Sequence, residues 1–137
     1  MKCPVFPTEN QEHIKYALAN LFSDVPLDEE IDLDVIYISF TTSSQSILSS
    51  FRQLIHRTQI IDAVRVRLQS NLEELRTWLL IDKQTAFCGQ LRLVASGDER
   101  PPLGCIEVII QFEHESELED FLVWLTPPTK NGRIIKS

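Results

Sequence analysis

The chain has 137 residues, of which 43% are hydrophobic and 24% are charged, and its formal net charge at pH 7 is −7. This length and composition are typical of one soluble globular domain. No apolar run approaches the roughly 20 residues that span a bilayer, which excludes a predicted transmembrane segment. The amino terminus, MKCPVFPTEN, lacks the long apolar region of a signal peptide, so we expect a cytoplasmic protein.

The first predicted elements are a short strand that ends at Pro7 and a helix from about Glu9 to Phe22. Thr8, followed three residues later by Gln11, forms a capping-box pattern, and apolar residues then recur at helical spacing. The next segment, SDVPLDEEIDLD, is predicted to be a loop. Five of its last seven residues are acidic, so we expect it to be exposed.

A strand and a helix follow in the predicted order. VIYISF, at residues 35–40, is rich in β-branched and aromatic residues and indicates a strand. The polar stretch TTSSQS then forms a turn that supplies an N-cap for a helix. One face of this helix is apolar, which leaves Arg52 and His56 on the other face. The apolar residues are Ile47, Leu48, Phe51, Leu54 and Ile55.

Residues 51–67, FRQLIHRTQIIDAVRVR, contain 4 of the 13 Lys and Arg residues of this acidic protein. Within and beyond this stretch, AVRVRLQ alternates as a half-buried strand does, yet the apolar residues from Ile60 onward also fit a helix. Because positions 44–70 contain no Gly or Pro, we favour two successive helices with a bend near Thr58. The arginines flank the apolar stripe in that interpretation.

The second half of the chain is predicted to be mostly sheet. LRTWLLI and TAFCGQLRLV flank a turn at Asp82-Lys83 and form a predicted hairpin, SGDERPPLG is a connecting loop, and CIEVIIQF is a third strand. HESELEDFLVWL is predicted to be a helix with a second capping box, from Ser116 to Glu119. PPTKNGRIIKS ends this helix and leaves a basic tail.

The predicted element order is β-α-β-α-α-β-β-β-α, without the regular alternation of a doubly wound fold. We therefore predict an α+β fold in which a mainly antiparallel sheet carries helices packed on one face. Residues 1–126 form a single domain in this interpretation, and residues 127–137 form a basic C-terminal tail. The aromatic residues expected in the core are Phe51, Trp78, Phe87, Phe112, Phe121 and Trp124.

The sequence contains no recognisable catalytic or cofactor motif. Its four glycines form no phosphate-cradling loop, and no serine lies in a GxSxG elbow. Cys3, Cys88 and Cys105 lack paired-ligand spacing, and the last two lie in apolar, strand-like stretches, so we interpret them as structural. The acidic run around His114 is better explained by the first turn of a helix than by a metal ion. We predict no enzyme, no cofactor and no metal site.

Arg52, Arg57, Arg65 and Arg67 are candidates for binding phosphates, because a guanidinium group binds them through a bidentate fork. The alternative is that these side chains solvate an amphipathic helix pair and meet acids such as Asp62. The net negative charge repels nucleic acid at long range, but salt screens this repulsion beyond about one Debye length, near 8 Å in physiological salt, so local patches govern contact. Composition leaves both interpretations open.

A set of short motifs extends over nearly the whole chain. They are Pro7-Thr8-Glu9, Asn20-Leu21-Phe22, Leu54-Ile55, Arg57, Ile60, Asp62-Ala63, Arg65, Lys83-Gln84, Ala86, Gly89, Pro102-Leu103-Gly104, Ile106, Trp124-Leu125, Pro127, Thr129 and Gly132. In this order and spacing the chain resembles an archaeal family known as uncharacterised protein family 0201.

This resemblance implies a fold similar to the ribosomal protein that binds five-S RNA, with an antiparallel sheet backed by helices. It also implies RNA binding through the family's grouping and fold, although a fold can host many functions. The family has no established catalytic residues that could be transferred to this chain.

We predict a non-enzymatic RNA-binding or RNA-processing accessory protein. The alternative is a protein-interaction module or complex subunit, such as a homodimer, with no direct contact to nucleic acid. RNA phosphates would be bound by basic side chains of the central helices, the predicted hairpin turn and the tail. These residues are Arg52, Arg57, Arg65, Lys83, Lys130 and Arg133.

Overall fold

A five-stranded sheet organises the computed structural model, which describes residues 1–22, 26–94, 104–130 and 133–134. The strands are β1 (Lys2–Val5), β2 (Asp28–Asp32), β3 (Val35–Ser39), β4 (Arg76–Ile81) and β5 (Ile106–Gln111). Their order across the sheet is β2-β3-β1-β5-β4, and each pairing between neighbours is antiparallel. The predicted α+β class is therefore confirmed, while the finer likeness to the ribosomal protein stays a prediction.

Helices connect most of these strands. They are α1 (Gln11–Leu21), α2 (Ser49–Arg57), α3 (Ile61–Ser70), α4 (Lys83–Phe87) and α5 (Glu115–Leu125). A 3₁₀ turn at Gln45–Leu48 leads into α2, and two short strands, β6 (Thr129–Lys130) and β7 (Arg133–Ile134), pair after α5. Across the described ranges, no helix is both long enough and apolar enough to cross a membrane.

The core lies between the helices and one face of the sheet. Alternate strand residues such as Ile38, Leu79 and Ile106 are fully buried, while Arg76 and Ile109 on the opposite face are exposed. The helices contribute the apolar residues that match this face. The most deeply buried of them are Leu18, Leu21, Phe51, Ile55, Ile61, Leu68 and Leu125.

The prediction of two successive helices around residue 58 is confirmed. The chain turns at Gln59, whose φ is 59°, and Thr58 Oγ1 donates a hydrogen bond to Leu54 O at 2.7 Å. The alternation in AVRVRLQ therefore belongs to α3, where Val64 is buried and Val66 is exposed. Periodicity alone could not distinguish these alternatives, but the long interval without Gly or Pro favoured the correct one.

The acidic segment after α1 is a strand, so the predicted loop is wrong there. β2 pairs with β3 from Asp28 opposite Ser39 to Asp32 opposite Val35. All five residues of β2 are exposed, as the acidic composition predicted. Acidic residues disfavour strands only weakly, and backbone pairing with β3 outweighs that preference.

The predicted hairpin after β4 is wrong in its second half, because the chain forms α4 instead of a strand. The carboxylate of Asp82 caps this helix by accepting hydrogen bonds from the backbone N–H groups of Gln84 and Thr85, at 2.8 and 3.1 Å. Beyond the helix, Leu93 forms an isolated bridge with Ile81. A helix of five residues is too short to show a 3.6-residue period. Most of the predicted loop at 96–104 lies outside the described residues.

Both predicted capping boxes are also wrong. The N-cap of α1 is Asn10, whose side-chain oxygen accepts from the backbone N–H groups of Glu12 and His13. Helix α5 begins after His114, which makes no side-chain capping bond. In both cases helical periodicity predicted the helix. Which of the nearby polar residues becomes the N-cap depends on the conformation of the chain just before the helix.

Gly104→Ala is expected to destabilise the fold, because Gly104 has a positive φ and because its surroundings leave no room for a Cβ atom. Its φ is 76°, and an added Cβ would lie 2.8 Å from Cγ of Pro4. Gly89 is a matched control, because its φ is 74° but nothing lies within 4 Å of an added Cβ. We expect Gly89→Ala to lose about 1 kcal/mol through backbone strain and Gly104→Ala to lose more. Equal losses in urea unfolding would contradict this expectation.

Candidate nucleic-acid interface

Two basic side chains of α2, Arg52 and His56, point towards the end of α5. Arg52 donates from Nε to Trp124 O at 2.8 Å, and its guanidinium lies 5.5 Å from the centre of the Trp124 ring. His56 donates from Nε2 to Leu125 O at 2.9 Å. The last carbonyl groups of a helix lack intrahelical partners and carry partial negative charge, so cationic donors are favourable there.

Arg65 of α3 binds the next two carbonyl groups along the chain, those that follow Leu125. Its Nε donates to Thr126 O at 3.2 Å and its Nη2 donates to Pro127 O. Its Nη1 pairs with the carboxylate of Asp62 at 3.1 Å. All three nitrogens of this guanidinium are therefore bound within the protein. Together with Arg52 and His56, Arg65 binds four successive carbonyl groups, those of residues 124–127, which we call the α5 carbonyls.

Two further basic residues also bind the protein itself. Arg67 donates from Nη1 to Val94 O at 2.7 Å and so joins α3 to the segment after α4. Lys83 is only 5% exposed, and its ammonium group contacts Pro4 O and the Glu9 carboxylate, each at 2.8 Å. Because a buried ammonium needs such partners, Lys83 joins α4 to β1 and to the turn before α1.

Arg57 differs from these residues because it is exposed. It lies at the end of α2 and donates from Nη2 to Gly89 O at 3.4 Å, a long hydrogen bond. The acidic strand β2 contacts α1, where Glu29 pairs with Lys15 at 2.9 Å. The side chains of Lys130 and Arg133, in β6 and β7, lie outside what the structure describes, so their predicted role stays a prediction.

Three exposed rings form a surface where α1 meets α4. The Phe87 ring lies 4.9 Å from the His13 ring and 5.5 Å from the Tyr16 ring, measured between centres. Tyr16 is 59% exposed and Phe87 is 40% exposed. Asn20 holds this arrangement by donating from Nδ2 to Ala86 O at 2.9 Å, which fixes α4 against α1. We call His13, Tyr16 and Phe87 the aromatic surface.

The aromatic surface was missed by sequence reasoning, which placed Phe87 in the core. The sequence interpretation assumed a strand at residues 85–94, and in a strand Phe87 would have packed against the sheet. In α4 it is Ala86 that is buried, and Phe87 turns outward. The only sequence signal that could have revealed this is Asp82, a preferred N-cap residue immediately before α4.

A cavity of about 530 Å³ opens beside the aromatic surface, between the start of α1 and α4. Its wall includes Asn10, His13 and Ile14 on one side and Gln84, Phe87 and Cys88 on the other. Most of these residues are exposed, so the cavity is open to solvent.

The three cysteines have different environments. Cys3 and Cys105 are buried, and burial raises the pKa of the Cys3 thiol to about 12. Cys88 is exposed at the rim of the cavity, so the prediction that it is buried in a strand is wrong. It lies just beyond α4, where the chain turns towards Gly89.

A thiol-directed alkylating reagent is expected to modify Cys88 in the native protein well before Cys3 or Cys105. The thiolate is the reactive form, and Cys3 at neutral pH is almost fully protonated as well as buried. Mass spectrometry after a short reaction would locate the modification, with Cys88→Ser as the control. Rapid labelling of Cys3 in the folded protein would contradict the described packing of β1.

Arg65→Met is expected to destabilise the protein by about 2 kcal/mol, because hydrogen bonds from charged groups contribute roughly 1.5–3 kcal/mol. Methionine keeps much of the aliphatic contact but offers no donor to the α5 carbonyls. Arg57→Met is the matched control and should change stability by less than about 0.5 kcal/mol. Urea unfolding measures both variants. A similar loss in the two would mean that the bonds to the α5 carbonyls contribute little.

One acidic cluster brings together groups that metals can bind. The ligand atoms of Glu113, His114 and Glu117 lie within 4.8 Å of one another, and all three residues are exposed. These residues lie at the start of α5, where negative charge is favourable in any case. Proximity alone therefore gives no reason to assign a metal site.

The chain is similar to known proteins over almost its entire length. A family model described as RNA binding matches residues 1–112. The UPF0201 protein of Methanosarcina acetivorans is 33% identical over 93% of this chain and 83% of its own length. The UPF0201 protein of Thermococcus kodakarensis is 31% identical over 93% of this chain and 88% of its own length.

A solved structure extends this similarity to the fold. The crystal structure of the UPF0201 protein from Methanococcus jannaschii superposes with a TM-score of 0.82 at 26% identity, covering 98% of this chain and 96% of that protein. A second UPF0201 crystal structure, at 22% identity, gives a TM-score of 0.72 and shares the fold. The resemblance found in the sequence motifs is thereby confirmed.

Proposed function

The chain belongs to the UPF0201 family, and from that premise we propose that it is a non-enzymatic RNA-binding or RNA-processing accessory protein. The family model described as RNA binding covers residues 1–112, which include α2, α3, α4 and the aromatic surface but end before the basic tail. We therefore propose that the main RNA contacts lie within residues 1–112, and that Lys130 and Arg133 add further contacts.

The observation that carries the proposal is the position of Arg57. Its guanidinium is exposed and, within the described part of the chain, makes one long bond, to Gly89 O, so most of its five N–H donors remain available. A guanidinium of this kind binds phosphate through a bidentate fork. Phe87 of the aromatic surface lies two residues before Gly89, which accepts the Arg57 bond, and its ring is exposed; aromatic side chains stack on unpaired bases.

The other predicted phosphate contacts differ in how far they are available. Arg65 and Lys83 are bound to acceptors within the protein, so we leave them out of the proposed interface. Arg52 uses Nε towards α5 and is half-buried, which gives it at most a secondary role. The proposed contacts of the domain are therefore Arg57 and the aromatic surface.

A protein-interaction module is the second candidate, and the exposure of Tyr16 and Phe87 favours it. Exposed aromatic residues that lie together are typical of protein interfaces as well as of nucleic-acid interfaces. If a second copy covered these rings, a light-scattering mass would show a dimer, and Phe87→Ala would return it to a monomer. A monomeric wild-type protein would exclude the homodimer version of this candidate.

Arg57→Glu is expected to weaken binding to single-stranded RNA and to reduce its dependence on salt. For one lost phosphate contact, the slope of log affinity against log salt should fall by about 0.7 to 0.9. Arg76→Glu is the control, since it changes net charge equally but lies on the sheet face opposite the helices. Fluorescence anisotropy across a salt series measures both variants.

Two results would overturn the RNA proposal. One is the absence of RNA binding by the wild-type protein at low salt. The other is equal weakening by Arg57→Glu and Arg76→Glu, which would indicate a response to net charge without a localised contact at Arg57.

A further inference from the structure

The cavity between α1 and α4 has a wall that disfavours phosphate. Among the residues described along this wall, the one Lys or Arg is Lys83, and its ammonium is already paired with Glu9 at 2.8 Å. Asp82 adds a second carboxylate, engaged in capping α4. An anion entering the cavity would meet these carboxylates without a free cation to offset them. A neutral group is therefore the better occupant.

The same wall offers groups that suit a flat, polar, neutral ring. Phe87 and His13 pack on each other with ring centres 4.9 Å apart and planes tilted by 34°, so a base would stack on a ring face turned away from this contact. Gln84 is exposed and carries both an amide donor and an amide acceptor. Asn10 uses its Oδ1 to cap α1, and its Nδ2 is a further donor at the opposite side. Amide groups beside stacking rings are the usual means of holding an unstacked base.

The cavity and the Arg57 contact lie at consecutive residues of the chain. Phe87 and Cys88 line the cavity, and the next residue, Gly89, accepts the hydrogen bond from Arg57. Because successive Cα atoms are about 3.8 Å apart, a guanidinium bound at Gly89 lies beside the rim. A nucleotide with its base in the cavity would thus place its phosphate on the side of Arg57.

We propose that this cavity binds one unpaired nucleobase of a single-stranded RNA whose adjacent phosphate contacts Arg57. The inference rests on the proposed function and specifies that the RNA recognised is single-stranded. A base within a duplex cannot enter, because both of its faces are stacked and its pairing edge is occupied. The protein should therefore prefer single strands over duplexes of the same sequence.

The test compares an intact single-stranded oligoadenylate with one of equal length that carries abasic sites, so that the phosphates are the same. Wild-type protein is expected to bind the intact strand at least about 5-fold more tightly, since a stacked base contributes about 1–3 kcal/mol. Phe87→Leu keeps an apolar side chain but removes the ring, and should bring the two affinities together. Gln84→Ala should reduce the difference in part.

Two controls separate the cavity from the general RNA contact. Val123→Ala removes another exposed apolar side chain, 59% exposed on α5, and should leave the preference unchanged. Arg57→Glu should weaken binding of intact and abasic strands by the same factor. Circular dichroism verifies that each variant is folded, and the wild-type comparison of the two strands does not depend on any variant.

The outcomes distinguish this inference from the proposed function. Wild-type protein that binds intact and abasic strands equally, with both weakened by Arg57→Glu, would overturn the base-binding cavity and leave RNA binding in place. An undiminished preference in Phe87→Leu would also overturn it. Wild-type protein that binds neither strand would overturn both proposals together.

Discussion

The α5 carbonyls are the acceptors around which the basic residues of this protein are arranged. Arg52, His56 and Arg65 come from two successive helices and meet at the last turn of a third. These contacts join α2 and α3 to α5, which is far from them in sequence. Arginine suits this task because its donors are planar, fixed in direction and charged at all ordinary pH values. An acidic protein therefore concentrates arginines where one helix end requires several donors.

Within residues 51–67, this arrangement distinguishes the arginines that bind the fold from Arg57, which is exposed. The four arginines are equivalent in the sequence, yet Arg52, Arg65 and Arg67 bind backbone carbonyls closely, whereas the bond from Arg57 to Gly89 O is long. A net charge of −7 accordingly says little about the surface beside α4. What matters for a ligand there is the local field within a Debye length, set by Arg57 and by the carboxylates of the cavity.

Much of the architecture could be predicted from the sequence, because the pattern of apolar residues in a long segment indicates whether it forms a helix or a strand. The strands β3, β4 and β5 follow from their apolar, β-branched composition, and the α2–α3 pair follows from apolar spacing together with the absence of Gly and Pro from positions 44–70. β2 and α4 were missed for opposite reasons: β2 is acidic and depends on its partner strand, whereas α4 is too short to show a period. The site was less accessible still. A backbone carbonyl has no sequence signature, so nothing in the residue types told Arg65 from Arg57, and the aromatic surface depends on the orientation of α4.

The acidic strand β2 has a consequence for contacts between copies of the protein. As the outermost strand on its side of the sheet, it leaves one row of backbone N–H and C=O groups without a neighbouring strand in the described fold. Such a row is a template on which another molecule can extend the sheet. Two copies that met there would bring Asp28, Glu29, Glu30 and Asp32 against the same four carboxylates. The acidic residues that made this strand look like a loop in the sequence therefore disfavour edge-to-edge pairing between copies, which protects the protein against aggregation.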